Sequence, residues 1–173
     1  MSSPAERYAA ARRRAAQASQ FPALEEFTSD LGFDLDDFQR ESCQALERGS
    51  GVLVCAPTGA GKTVVGEFAV HLALRGTPGQ PAPADGARRK CFYTTPIKAL
   101  SNQKYHDLVD RYGADQVGLL TGDNAINGDA PVVVMTTEVL RNMLYAGSAT
   151  LEGLAYVVMD EVHYLADRFR GGV

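Results

Sequence analysis

The chain has 173 residues, 45 % of them hydrophobic and 22 % charged, with a net charge of −4. This composition specifies one soluble globular domain with a sizeable core, and the acidic balance excludes nucleic-acid binding that rests on a global basic field, leaving local loops and helix N-termini as the means. Cys43, Cys55 and Cys91 show no C-x-x-C pairing and read as reduced thiols of a cytoplasmic protein, while no membrane-spanning run or signal peptide is visible and no membrane partner is expected.

Residues 1–32 read as a leader and approach segment. The Ala/Arg-rich start, with Arg7 and Arg12, Arg13 and Arg14, predicts a short helix with a solvated basic face, and Phe21 to Phe33 an irregular stretch anchored by Phe21, Leu24, Phe27, Leu31 and Phe33. Leu35 to Arg48 reads as a helix capped by Asp34 or Asp36, with Phe38, Ser42, Ala45 and Leu46 on one face. The apolar run Val52–Ala56 predicts a strand. A second helix follows the loop after it, carries Val65, Phe68, Ala69 and Leu72 inward, and stops near Gly76. Residues 76–89, rich in Pro and Gly, predict a mobile surface loop. Beyond it come a strand over Lys90–Thr94, a helix from Pro96 to about Arg111 and a strand over Gln116–Leu120. Strands over Pro131–Met135 and Ala155–Met159, buried on both faces, flank a helix over Glu138–Tyr145. Such alternation implies a parallel sheet with helices on both sides, an α/β fold.

Two segments carry the chemistry. Ala56-Pro57-Thr58-Gly59-Ala60-Gly61-Lys62-Thr63 lies between the expected strand and helix. Glycines at 59 and 61 let the backbone curl so that successive N–H groups point at phosphate oxygens, and the helix start adds its own free N–H groups and dipole. Lys62 is placed to reach the β- and γ-phosphates and the Thr63 hydroxyl to hold Mg²⁺. Ala56 stands where the usual pattern has its first glycine, so the loop is a variant. The second segment is the apolar strand that ends in Asp160-Glu161. Acids at the carboxyl edge of a parallel sheet sit where ligands bind. Asp160 fits the Mg²⁺ shell, Glu161 the activation of a water, and His163 a role in coupling the γ-phosphate site to other parts of the protein.

With these motifs in place, the chain resembles the DExH branch of superfamily-two helicases, and within it the superkiller-type, exosome-associated RNA helicases. The likeness rests on the glycine loop, on Asp160-Glu161-Val162-His163, and on four further segments in order: residues 33–39, 95–104, 118–123 and 135–142. It implies a three-layer RecA-like P-loop domain over residues 33–173, and ATP with Mg²⁺ as ligands. In the first segment Phe33 would stack on adenine and the Gln39 amide would read its edge. Pro57, Thr58, Gly59, Ala60, Gly61, Lys62 and Thr63 would hold the phosphates. Pro96, Lys98, Ala99, Asn102 and Gln103, then Thr121 and Gly122, then Thr136, Thr137 and Glu138, would grip single-stranded nucleic acid, with Lys98 and Lys104 supplying charge. Free N–H groups and hydroxyls at strand-to-helix junctions bind backbone phosphates without reading bases, so weak sequence preference is expected.

The resemblance implies an ATP-dependent RNA helicase, RNA preferred over DNA, with RNA-degradation machinery as a partner. A DNA helicase of the same superfamily and a non-catalytic nucleotide- and strand-binding module are the alternatives. A P-loop transporter ATPase or kinase lacks support, since no LSGGQ signature is present. The chain ends ten residues after His163, before the family's next Ser-Ala-Thr motif. Ser148-Ala149-Thr150 precedes the acidic box and reads as a loop. The expectation is therefore a domain truncated at its C-terminus, without the arginine fingers of a second RecA-like domain, that binds ATP and hardly hydrolyses it. Its strands Val52–Ala56 and Ala155–Met159 should stand about two strand spacings apart with nothing between them.

Overall fold

The computed structural model describes residues 20–75 and 89–166, so the expected basic N-terminal helix and nearly all of the expected 76–89 loop lie outside it. Two compact units divide the chain after Phe68.

In the first unit, α1 (Pro22–Ser29) is a helix where the sequence predicted an irregular approach. Pro22 at its start supplies a preset φ and lacks only an N–H that the helix would leave unpaired. Leu24 and Phe27 bury one face, and the Phe27 and Phe68 ring centroids lie 5.2 Å apart. The two oxygens of the Glu47 carboxylate accept the Ala23 and Leu24 N–H groups at 2.9 and 3.0 Å. An acid from the next helix thus caps α1, a contribution of about 1 kcal/mol.

Asp36 begins α2 (Asp37–Glu47) from an extended backbone, as one of the two predicted caps. The buried line on α2 is Gln39 and Cys43, whereas Phe38, Ser42, Ala45 and Leu46, expected to share one face, are only partly covered. Residues 51–57 belong to no helix or strand, which corrects the strand expected over Val52–Ala56. Their exposure alternates as in a strand, Leu53 being 77 % exposed, but alternation supplies only the pattern. A strand also needs ladder hydrogen bonds, and no sheet ladder includes these residues. Helix α3 (Thr63–Arg75) follows the loop and buries Val65, Phe68, Ala69 and Leu72 as expected.

The second unit is built on β1 (Lys90–Thr95), β2 (Val117–Leu120), β3 (Ala125–Ile126), β4 (Val132–Thr136) and β5 (Leu154–Met159), in the order β3-β2-β4-β1-β5. Strands β2, β4, β1 and β5 are mutually parallel, and β3 turns back antiparallel on β2. The connections include α4 (Lys98–Tyr112), α5 (Thr137–Ala146) and a short 3-10 turn, Ala149–Leu151, so Ser148-Ala149-Thr150 is indeed a connector. Alternate strand residues feed two cores. Cys91, Tyr93, Val132 and Val134 pack with Val70, Ala73 and Leu108 on one face; Phe92, Val133 and Met135 pack with Leu140 on the other. The result is the three-layer α/β arrangement of a RecA-like domain.

One expectation about the sheet fails. Strand β5 is not covered on both faces: Val157 and Met159 are each 45 % exposed. It ends the sheet among the described residues, with only β1 beside it, and α5 packs mainly over β4 and β1.

Candidate nucleotide and strand-binding site

The phosphate loop has the curl the glycines were expected to allow, with Gly59 at φ 84° and Gly61 at φ 76°. Ala60 N–H donates to the Pro57 carbonyl at 3.2 Å, closing the turn. Lys62 folds back on the loop, its Nζ donating to the carbonyls of Ala56 (2.6 Å) and Pro57 (2.9 Å). The ammonium is thereby held at the loop rather than extended into solvent. Thr58 and Thr63 are exposed at its two ends.

Gln39 differs from expectation. Its amide oxygen accepts the Asp36 N–H at 2.9 Å, and its amide nitrogen donates to the carbonyls of Gly61 (3.0 Å) and Ala60 (3.5 Å). Both ends of the amide are committed to the α2 cap and the loop, so the side chain braces the phosphate loop instead of presenting an edge to a base. Phe33 is 54 % exposed and lies on a cavity of about 600 Å³ whose lining includes Phe21, Leu24, Leu35 and Arg40. The lining also includes Glu25, Thr28, Asp34 and Asp37, so the concavity is largely polar, and Phe33 offers an exposed ring at its edge on which a planar base could stack.

In the second unit the parallel register assembles a row at the carboxyl edge. Leu120 pairs with Met135, Thr95 with Thr136, and Thr94 with Met159. Thr121, Thr136, Thr95 and Asp160 are therefore neighbours on successive strands, and the Asp160 N–H donates to the Thr94 carbonyl at 2.9 Å. At about 4.8 Å per strand the row spans roughly 14 Å. The three predicted strand-gripping segments and the acid pair thus share one edge. Lys98, Ala99, Gln103, Gly122 and Glu138 are exposed along it, and Pro96, Asn102 and Thr137 are partly so.

The hydroxyls of this row have internal partners. Thr136 caps α5 by accepting the Val139 N–H at 3.4 Å, Thr137 donates to the Thr95 carbonyl at 3.3 Å, and Thr121 donates to an Asp123 carboxylate oxygen at 3.2 Å. They shape the junctions, so any contact with a backbone phosphate would fall to backbone N–H groups and exposed side chains. Lys98 is paired with Asp123, whose pKa that partner lowers through a hydrogen bond and its charge. Lys104, expected to face nucleic acid, is instead buried, its Nζ 5.4 Å from the Tyr93 ring centroid.

Asp160 is partly buried, while Glu161 and His163 are exposed. Glu161 has φ 53°, a left-handed backbone that costs a side-chain-bearing residue about 1–3 kcal/mol and clusters at functional sites. Its N–H donates to Asp160 Oδ1 at 2.9 Å, and its Oε2 lies 3.3 Å from His163 Nδ1. Among the described residues no group of three or more His, Cys, Asp or Glu is arranged to hold a metal by itself. That suits Mg²⁺, which binds through one or two carboxylates with phosphate oxygens and water. Asp160 offers one such carboxylate. When bound, Mg²⁺ would neutralise triphosphate charge.

A P-loop followed by a parallel sheet with an acidic strand end defines a RecA-like nucleotide-binding α/β protein. Residues 36–173 match the DEAD/DEAH box helicase family, and the chain belongs to it. It is 68 % identical over 155 residues to the probable helicase HelY of Mycobacterium tuberculosis, a match that covers 90 % of this chain and 16 % of that protein. It is 50 % identical over 141 residues to the ATP-dependent RNA helicase mtr4 of Schizosaccharomyces pombe, covering 82 % of this chain and 12 % of that one. The fold is similar to the crystal structure of a hypothetical ATP-dependent RNA helicase from Sulfolobus tokodaii, with a TM-score of 0.59 at 23 % identity over 84 % of this chain and 42 % of that one. The chain therefore spans under a fifth of the length of the curated relatives it matches.

Sequence reasoning missed Tyr93, whose hydroxyl donates to Asp160 Oδ2 at 2.8 Å. The only signal was its position on an inward-facing strand site. It also missed α1, although Pro22 followed by Leu24 and Phe27 was an available helix signature.

Proposed function

We propose that this chain is the ATP- and strand-binding portion of an ATP-dependent RNA helicase. The loop over Ala56–Thr63 takes the triphosphate, Lys62 leaving its two carbonyls for phosphate oxygens. Asp160 holds the Mg²⁺ shell, and Glu161 accepts a proton from the attacking water. His163, beside the Glu161 carboxylate, links that position to the strand-bound edge. Lys98, Ala99, Gln103, Gly122 and the N-termini of α4 and α5 grip backbone phosphates. RNA is favoured over DNA because the mtr4 relative is described as an RNA helicase, and RNA-degradation machinery is the expected partner. The observation that carries the reading is the register that sets Thr121, Thr136, Thr95 and Asp160 side by side.

The test is direct binding to the 173-residue chain. A fluorescent ATP analogue should bind in the presence of Mg²⁺ and lose at least tenfold in affinity in Lys62→Ala. Fluorescein-labelled single-stranded RNA should bind with little sequence preference, more tightly than DNA of the same sequence, and less tightly in Lys98→Ala. Equal or stronger DNA binding would favour the DNA helicase reading, and no ATP uptake at millimolar concentration would end both. Hydrolysis by this chain should be slow, because an arginine finger supplied by another domain is worth about 10³ to 10⁵ in rate.

A further inference from the structure

Tyr93 lies in the centre of β1 and is fully buried, yet its hydroxyl reaches the carboxylate at the end of the neighbouring strand. The register explains the reach. Tyr93 is opposite Val158, and Asp160, two residues further along, returns to the same face of the sheet. The two Asp160 oxygens then have different donors. Oδ2 accepts the Tyr93 hydroxyl at 2.8 Å and Oδ1 accepts the Glu161 N–H at 2.9 Å. The Asp160 main chain is fixed as well, through its N–H to the Thr94 carbonyl.

A carboxylate turns easily about its last torsion, and its two oxygens offer about four acceptor directions. Two donors on opposite oxygens set the plane of the group and leave one direction on each oxygen open. The Lys104 ammonium, 5.4 Å from the Tyr93 ring centroid, draws the ring's electron density and strengthens the hydroxyl as a donor. Lys104 lies on α4, the helix whose first turn carries Lys98 and Ala99.

We propose that Tyr93 is a positioning residue for Asp160: its buried hydroxyl holds the carboxylate in the orientation that receives Mg²⁺ with the nucleotide. The proposal rests on the reading that Asp160 serves Mg²⁺, and its test separates the two.

The experiment titrates Mg²⁺ into the 173-residue chain with a fluorescent ATP analogue and reads the Mg²⁺ concentration at half-maximal binding. It uses wild type, Tyr93→Phe, Asp160→Asn and the double variant, each checked by thermal melt. Tyr93→Phe should raise the Mg²⁺ requirement roughly five- to tenfold and leave Mg²⁺-free nucleotide binding unchanged. In the Asp160→Asn background the same change should add nothing. Wild-type behaviour of Tyr93→Phe beside an impaired Asp160→Asn would overturn the proposal and spare the reading of Asp160. An effect of Tyr93→Phe that persists in full without the Asp160 carboxylate would overturn it too, since the hydroxyl would be acting elsewhere. Loss of fold in Tyr93→Phe but not in Asp160→Asn would assign the hydroxyl to packing and likewise overturn the proposal. An Asp160→Asn chain with unaltered Mg²⁺ dependence would remove the reading and the proposal together.

Discussion

The amide nitrogen of Gln39 donates to the Gly61 carbonyl at 3.0 Å, while its amide oxygen accepts the Asp36 N–H at 2.9 Å. One side chain thereby ties the start of α2 to the turn proposed to receive phosphate. Gln39→Ala should free that turn, lowering stability by about 1–2 kcal/mol and weakening binding of ATP and ADP alike. Gly61→Ala should do more harm. A Cβ there would clash with Gln39 Nε2, and the φ of 76° is unfavourable for alanine. Denaturant melts and nucleotide titrations of the two variants check both statements.

Glu161 holds a left-handed backbone at the end of β5. Glu161→Gly should remove that strain and raise stability by about 1 kcal/mol while abolishing hydrolysis in a longer helicase that contains this domain. Glu161→Gln keeps the strain and should retain ATP binding with hydrolysis lost. Urea unfolding for the first and single-turnover hydrolysis for both are the measurements. A Glu161→Gly chain less stable than wild type would mean that the side chain stabilises the turn by more than its backbone strains it.

Lys98 is held by Asp123, so on the proposed reading a nucleic-acid phosphate would have to compete for it. Asp123→Asn should tighten single-stranded RNA binding a few-fold and steepen its salt dependence by about 0.7 in the logarithmic slope, the share of one freed cation. The pH dependence has a definite sign. The folded chain lowers the Asp123 pKa, so the pairing is complete above the unfolded carboxylate value and is lost as pH falls through the lower folded one. Near neutral pH, RNA affinity of the wild type should therefore show no step from this group. Fluorescence anisotropy across salt and pH reads both effects.

Cys43 and Cys91 are buried, and burial pushes both thiols up to about 12, whereas Cys55, just ahead of the phosphate loop, is exposed. At pH 8 a thiol reagent should label one cysteine of the native chain quickly and the other two only on unfolding. Saturating Mg–ATP should slow the fast reaction. Mass spectrometry of the labelled chain identifies the site.

Local pattern and the final arrangement agree where one residue's neighbours in sequence decide its fate. Val65, Phe68, Ala69 and Leu72 fall at helical spacing and bury together, and the threonines at the strand ends come to one edge because parallel strands must align there. Disagreement arises where a distant partner decides. Val52–Ala56 has a strand's alternation but no ladder. Val157 and Met159 have the apolarity of an inner strand, yet among the described residues β5 has one neighbour. Gln39 has one amide whose donor and acceptor ends could read a base, and the loop carbonyls, more than twenty residues away in sequence, take the donor end. No local signal distinguishes Tyr93 from any other core aromatic; its hydroxyl acquires meaning only from the register of β1 with β5.

The half-bare face of β5, and its flank with no partner strand among the described residues, also govern how the chain behaves in a tube. A strand paired on one side only that displays valine and methionine to water is a template for like copies. As protein concentration rises the preparation should first form oligomers and then precipitate, sooner in high sulfate than in dilute chloride. The single change Val157→Lys, on the outward face of that strand, should be enough to keep it dispersed.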